Sequence, residues 1–422
     1  MKTLGREKRR GGIGVLSVWL VVVAMLLSAA TRAQAPAAPV SPVDPLPQDT
    51  GAAGLKQMLV RLKTTARLMQ TTAHPDDEDG GMLTLESRGR GATTLLFTLT
   101  RGEGGQNKLG SNLFDVLGVV RTLELTAADR YYGVEQRFSR VADFGYSKNP
   151  EETFQKWQGH DIALGDMVRV IRTFRPDVLV ARFSGTERDG HGHHQASSIL
   201  TKEAFRVAAD PNKFPEQIKQ GLLPWQAKKL YIGNVCGFGA TSCPAENYTV
   251  KLNTGEFSPG LGMSYVQFAI NEGLRHQLSQ GAGGWTVDPG DRFAFYKLAD
   301  SVVESKKDED GHEQDLFDGI DTSLTGLAPR LGAEETKVPW LKPALEKIAT
   351  EVQKATEASA KNPMDAAGPL LSLANSFPEL VQRVEESSLS EPAKADLLTR
   401  LREKQQQAET AATLAMNVSV EA

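Results

Sequence analysis

Two hydrophobic periods alternate along the chain from about Gly54 onward. "ARLMQTTA" (66–73), "ATTLLFTLT" (92–100), "PDVLVARF" (176–183) and "KKLYIGNV" (228–235) are short runs rich in Leu, Val, Thr and aromatic residues. Such runs predict four strands. Between them lie segments with apolar residues at helical spacing. "GGMLTLESRG" predicts a short helix ending at Gly89 or Gly91, and "DVLGVVRTLELTAADRYYG" one that stops at Gly133. "IALGDMVRVIRTF" (162–174) is amphipathic and ended by Pro176, and "HHQASSILTKEAFRVAA" (193–209) follows the third strand. Strands alternating with helices of this length predict an α/β fold, a mainly parallel sheet with helices on both faces.

In open sheets of that kind, ligands sit outside the carboxyl ends of the strands. "AHPDDE", "TRGEGG" and "SGTERDGHGHH" each follow a predicted strand directly, so three polar clusters should converge on one rim. Residues 333–422 have another character. They are rich in Ala, Glu, Lys, Gln and Leu, with Pro or Gly at 363, 368–369, 378 and 392 separating three predicted helices. They read as a solvated helical C-terminal extension.

The N-terminus changes the picture of where the chain works. "MKTLGREKRR" is basic, "IGVLSVWLVVVAMLLSAA" is uninterrupted and apolar, and "TRAQA" offers small residues for cleavage. This is the pattern of a signal peptide over residues 1–33, cut after Ala33. The apolar run is long enough that an uncleaved membrane anchor is the alternative. The address is exported either way: periplasmic, extracellular or anchored on the outer face. Residues 34–53, five prolines among them, read as an extended linker. The expected organisation is then 1–33 signal peptide, 34–53 linker, 54–332 α/β domain and 333–422 extension.

The 422 residues carry a formal net charge of −4, and 40% of them are hydrophobic. Loss of residues 1–33 removes six basic residues and one acid, leaving 42 basic against 51 acidic. A net of −9 excludes the basic stripe that a nucleic-acid partner requires. The only cysteines, Cys236 and Cys243 in "NVCGFGATSCP", are predicted to form a disulfide, since the pair is close and the compartment oxidising. Two thiolates alone would make an incomplete zinc site.

"TTAHPDDEDGGM" (71–82) crowds Asp76, Asp77, Glu78 and Asp79 against His74, and their repulsion calls for a cation. Three of the seven histidines, His191, His193 and His194, fall in "GHGHH". His74 and Asp77 are three residues apart at a strand-to-helix turn, and His191 and His194 share that spacing. Two imidazoles and a carboxylate with a fourth position open to water describe a catalytic zinc site, with iron and cobalt as alternatives. Asp76 is next to a ligand and within reach of a water proton.

"AHPDDE" followed about 115 residues later by "GHxxH" resembles the PIG-L/LmbE zinc-dependent de-N-acetylases. The likeness spans roughly residues 60 to 240 and includes "TRGEGG", "VVRTLEL" and "FRPDVLVAR". It implies a Rossmann-like (LmbE-like) fold, a Zn2+ cofactor and removal of acetyl from an N-acetylglucosamine-type glycan or glycoconjugate. It also implies His74, Asp77 and His194 as metal ligands, Asp76 as general base, and His191 as the group that stabilises the oxyanion or protonates the amine. One departure is visible. Family members often read His-Pro-Asp-His where this chain reads His-Gly-His-His, so His193 stands in the acid's place. Asp189 or Glu187 is a candidate substitute, and a slip of register would make His193 the ligand.

The resemblance further places Arg121 toward the sugar and makes Glu124 a brace; the plain alternative is an exposed ion pair one helical turn apart. Gly102–Gly105 reads as a turn that can offer backbone to substrate. "GLRHQLSQGAGG" puts His276 in a segment similar to one of exported relatives, with an ordinary loop histidine as the other reading. His160 and His312 read as surface residues, and Glu78 as a cap or brace of the helix after it. Two functional alternatives remain. One is a same-fold zinc amidase acting on a non-sugar or small-molecule amide; the other is a scaffold that keeps the metal without turnover.

Overall fold

In a computed structural model, the described residues, 45–418, form one compact unit. The expected signal peptide lies outside them, as does the linker up to residue 44. Order begins earlier than the sequence suggested: α1 spans Gly51–Leu62, so the boundary expected at Gly54 falls inside a helix.

The chain then follows an α/β course. β1 (Arg67–Thr72) leads to α2 (Gly80–Thr84), β2 (Thr93–Thr98) to α3 (Asp115–Tyr132), and β3 (Glu135–Phe138) to α4 (Pro150–Lys156) and α5 (His160–Phe174). β4 (Val178–Ala181) leads to α6 (Gly192–Val207) and α7 (Pro215–Lys219), and β5 (Lys229–Ile232) closes the parallel part. β6 (Val250–Asn253), a two-residue ladder of β7 (Phe257–Ser258) and β8 (Met263–Ser264), the turn α8 (Tyr265–Gln267) and β9 (Phe293–Ser301) follow. Three long helices end the chain: α9 (Leu341–Lys361), α10 (Ala367–Glu385) and α11 (Glu391–Ala415).

The seven-stranded sheet runs β3-β2-β1-β4-β5-β9-β6. The first five are parallel and the last two join antiparallel. β1, β4 and β5 are buried at every position, as strands covered on both faces should be. Successive residues serve opposite cores. Met69, Leu95, Phe97 and Leu179 face α5 and α6, while Leu68, Leu96, Val178 and Val180 face α2 and α3. The chain order reverses between β1 and β4, which opens a crevice at their carboxyl ends. "AHPDDE" leaves β1 there, and "GHGHH" opens the helix after β4.

The C-terminal helices are three, as expected, but not a solvated appendage. Their apolar faces (Leu345, Ile348, Val352, Leu370, Leu373, Phe377, Leu401 and Ala408 among them) share one core with Leu55, Leu59 and Leu62 of α1. Among the described residues no helix is long and apolar enough to cross a membrane.

Candidate metal centre and active site

The loop after β1 is organised by its own carboxylates. Asp77 turns back on the chain, its Oδ2 accepting from the backbone N–H of His74 (2.7 Å) and of Ala73 (3.2 Å). Asp79 caps α2 by accepting from Met82 N–H at 3.2 Å. Glu78 does not cap α2. It accepts from Asp76 N–H (2.9 Å), the Tyr132 hydroxyl (3.0 Å) and the Gln277 amide (2.5 Å), tying loop, α3 and the 274–280 segment together. Asp76 itself sits at φ +88°, a backbone region that side chains other than Gly avoid. Arg182, just past β4, donates to Asp77 O (2.6 Å) and Asp79 Oδ2 (3.3 Å) and so joins the two loops.

These bonds aim two faces of Asp77 at two imidazoles. His74 Nδ1 lies 3.3 Å from Oδ2, and His194 Nε2 lies 3.5 Å from Oδ1. Two donors at zinc distances on tetrahedral directions stand about 3.4 Å apart, so the donor set fits such an ion. Donor atoms of His74, Asp77 and His194 all lie within 4.8 Å of one another. Burial works against charge on Asp77, but His194 and His74 outweigh it and hold its carboxyl below the usual range. Burial raises Asp76 well above that range, reinforced by Asp77 and Glu78.

His74, His191 and His193 form a second convergent trio. His193 is fully buried, stacked on Trp157 (5.1 Å, 29°) and set against Phe144 (4.5 Å). Its Nδ1 faces His191 Nε2 at 3.5 Å and Asp143 at 3.9 Å, so the acid nearest to this pair is Asp143. Neither expected substitute stands at His191. The Asp189 carboxylate is occupied by the N–H groups of Ser184, Gly185 and Thr186, and Glu187 is exposed. Gly192 lets the loop after β3 approach closely. A Cβ there would lie 2.2 Å from Asn149 O and 2.4 Å from Ser147 Oγ.

Burial first, then His74 and His194, push the His191 pKa down to about 4. Its Nδ1 accepts the His193 backbone N–H at 3.1 Å, which assigns the proton to Nε2. A neutral His191 is therefore a hydrogen-bond donor through Nε2.

Arg121 is buried rather than in an exposed ion pair. It donates to Gln106 O at 2.6 Å, and its guanidinium lies on the glycine loop. A Cβ at Gly102 or Gly105 would stand 2.5 or 2.8 Å from Arg121 Nη1. These glycines make room for Arg121, a use that a plain turn does not reveal. Burial lowers the Arg121 pKa, and Asp76 is the first charge opposing that shift. Glu124 does brace a neighbour, accepting from Ser279 N–H (2.9 Å) and Oγ (2.6 Å). His276 is not in the cluster: it stacks on Tyr131 at 5.2 Å, while Gln277 and Ser279 make the contacts. His160 pairs with Asp161 and Glu203, and His312 stacks on Tyr248. Cys236 and Cys243 are bonded as a disulfide.

Sequence reasoning missed Glu78 as loop brace, Asp143, Arg182 and Phe183. Phe183 stacks flat on His194 (4.0 Å, 5°). Only its place at the end of a strand pointed to the rim.

A parallel α/β domain whose crevice gathers histidines, an aspartate pair and a buried arginine has the make-up of a metal-dependent hydrolase. Residues 69–205 match the family model described as PIG-L: GlcNAc-PI de-N-acetylase. The chain is similar to 1D-myo-inositol 2-acetamido-2-deoxy-alpha-D-glucopyranoside deacetylase 2 of Frankia casuarinae. The two are 28% identical over 309 residues, 61% of this chain and 94% of that one. It is also similar to the mycothiol S-conjugate amidase of Streptomyces coelicolor, 33% identical over 36% of this chain and 55% of the amidase. A solved N,N'-diacetylchitobiose deacetylase from Pyrococcus horikoshii aligns with 40% of this chain and 59% of its own, at 19% identity and a TM-score of 0.32.

Proposed function

We propose that this chain is an exported, zinc-dependent hydrolase that removes the N-acetyl group from an N-acetylglucosamine-type glycan or glycoconjugate. The observation that carries the reading is the convergence of His74, Asp77 and His194 beside an Asp76 that has no place in the donor set. Two relatives named as deacetylase and amidase support hydrolysis of an amide. Export rests on the N-terminal pattern and fits a disulfide near the site.

His74, Asp77 and His194 would hold the zinc, which when bound would supply Lewis acidity, lowering the pKa of water to about 7 and polarising the acetyl carbonyl. The protein's own groups do the rest. Asp76 takes a proton from the attacking water and returns it to the departing amine. His191 donates from Nε2 to the carbonyl oxygen as negative charge develops on it. Arg121 places positive charge beside Asp76. Phe183 and Trp157 wall the histidines and limit water.

The test is acetate release from N-acetylglucosamine oligomers by the zinc-loaded protein. Asp76→Asn is expected to lose about 10²- to 10⁴-fold in kcat while metal analysis shows zinc retained. The relative named as an S-conjugate amidase favours one second reading, hydrolysis of an amide in a small-molecule conjugate. Activity confined to such amides would select it. Zinc bound with no amide cleaved would leave only the scaffold.

A further inference from the structure

Cys236 and Cys243 close the loop "CGFGATSC" just beyond β5, and the loop carries an aromatic ring at its tip. Phe238 is 62% exposed, although it sits between Gly237 (φ +98°) and Gly239 (φ +68°), both in the left-handed region. The disulfide closes the loop on itself, and the two left-handed glycines give it a path that turns this side chain outward.

The loop is tied to the site rather than hanging beside it. Arg188, in the segment leading to "GHGHH", donates to Val235 O (2.6 Å) and Asn234 O (3.1 Å). One face of the Phe238 ring lies 4.7 Å from the Arg182 guanidinium, the group that holds Asp77 and Asp79. The ring meets Phe183 edge-on at 6.2 Å, and Phe183 in turn stacks on His194. Phe238 is thus one aromatic layer further from the metal centre than Phe183, with a face open to solvent. A buried ring would serve packing. An exposed ring backed by Arg182 and Phe183 at a crevice mouth is suited to a flat apolar partner, such as the C–H face of a pyranose.

We infer that Phe238, presented by the Cys236–Cys243 loop, is a stacking platform for the ring next to the one being deacetylated, so that the site selects substrates of at least two rings. This rests on the deacetylase reading given above. Phe238 acts on binding and touches no reacting atom, so its effect belongs in KM and not in kcat.

The test uses zinc-loaded protein and two probes, the methyl glycoside of N-acetylglucosamine and its β-1,4-linked disaccharide. Phe238→Ala is expected to raise KM for the disaccharide about five- to tenfold, the size of one lost aromatic contact. Its kcat, and both constants for the single ring, should stay within about twofold, on the same scale. Phe238→Trp should restore the disaccharide KM. The Cys236→Ser/Cys243→Ser variant, which frees the loop, should reproduce the Phe238→Ala pattern. Direct titration of the disaccharide onto Asp76→Asn protein with and without Phe238→Ala should show the same weakening. Equal effects on both probes, or none on either, would overturn the inference and leave the deacetylase reading standing. A wild type that releases acetate from neither probe would overturn both.

Discussion

Asp76 is where function and stability pull in opposite directions. Its φ of +88° has a cost on the order of 1–3 kcal/mol for a residue with a Cβ. The loop holds that conformation through Glu78, which accepts the Asp76 N–H. Asp76→Gly should therefore be more stable than Asp76→Ala by about 1 kcal/mol, although both lose turnover. Urea unfolding in the presence of chelator compares them without metal effects. Equal midpoints for the two variants would show that the backbone there is unstrained. Glu78→Gln tests the same device from the other side. The amide can no longer accept as a charged group from Asp76, Tyr132 and Gln277 at once. Weaker zinc binding, read by competition with a colorimetric chelator, is expected at the level of about tenfold, as for other groups that orient ligands.

At the scale of elements, the best-read parts are those whose burial leaves a mark in composition. β1, β2, β4 and β5 are covered on both sides and stand out as apolar runs. β3, "EQRF", has an exposed, half-buried alternation at the sheet edge and no apolar signature. β9 and β6 add antiparallel strands after an irregular stretch, where periodicity gives no guide to pairing. The candidate metal loop was legible because a short motif keeps His74 and Asp77 on one turn. The partners of that loop were not, since Tyr132, Arg182 and Gln277 arrive from three distant segments. Burial of an imidazole likewise leaves no trace in sequence, so the lowered pKa of His191 was not legible. α9, α10 and α11 were visible from their apolar stripes, but a stripe does not say what it meets.

What α11 meets can be probed through Asp396. Burial opposes its charge, yet Arg400 and Arg330 prevail and hold its pKa at about 2. The native carboxyl is more acidic than the unfolded one, so the unfolded chain binds more protons in the intervening window. This contribution is complete above about pH 4 and disappears as pH falls through 2. Wild type should lose about 2 kcal/mol across that window, and Asp396→Asn should not lose this part. Parallel pH profiles of unfolding free energy for the two proteins would contradict the assignment.

For the whole molecule, the question is whether residues 333–422 can be removed. An α/β domain with an added helical tail would survive truncation. The structure argues otherwise on two counts. First, most of the apolar cover of α1 lies in residues 333–422: Leu55, Leu59 and Leu62 pack with Leu345, Phe377 and Leu401 in one core, to which the segment just before residue 333 adds Leu324, Leu327 and Ala328. Second, α11 is pinned to the amino ends of the sheet strands by buried charge. Arg400, 1% exposed, reaches Asp177 with both terminal nitrogens (3.0 and 2.9 Å) and Asp396 with its Nε (3.0 Å), while Glu403 pairs with Arg67 of β1. Removing Arg400 leaves Asp177 and Asp396 sharing Arg330, with their buried charge only partly compensated, at up to about 3–5 kcal/mol. Arg400→Met should therefore lower stability by that amount with the active-site crevice untouched. A chain ending at residue 332 loses the network and strips α1 together, and it should not fold. It is expected to be recovered as aggregate, or to show no cooperative thermal transition, even with zinc supplied. A soluble 45–332 fragment that unfolds cooperatively and binds zinc as the full chain does would return the C-terminal helices to the status of a tail.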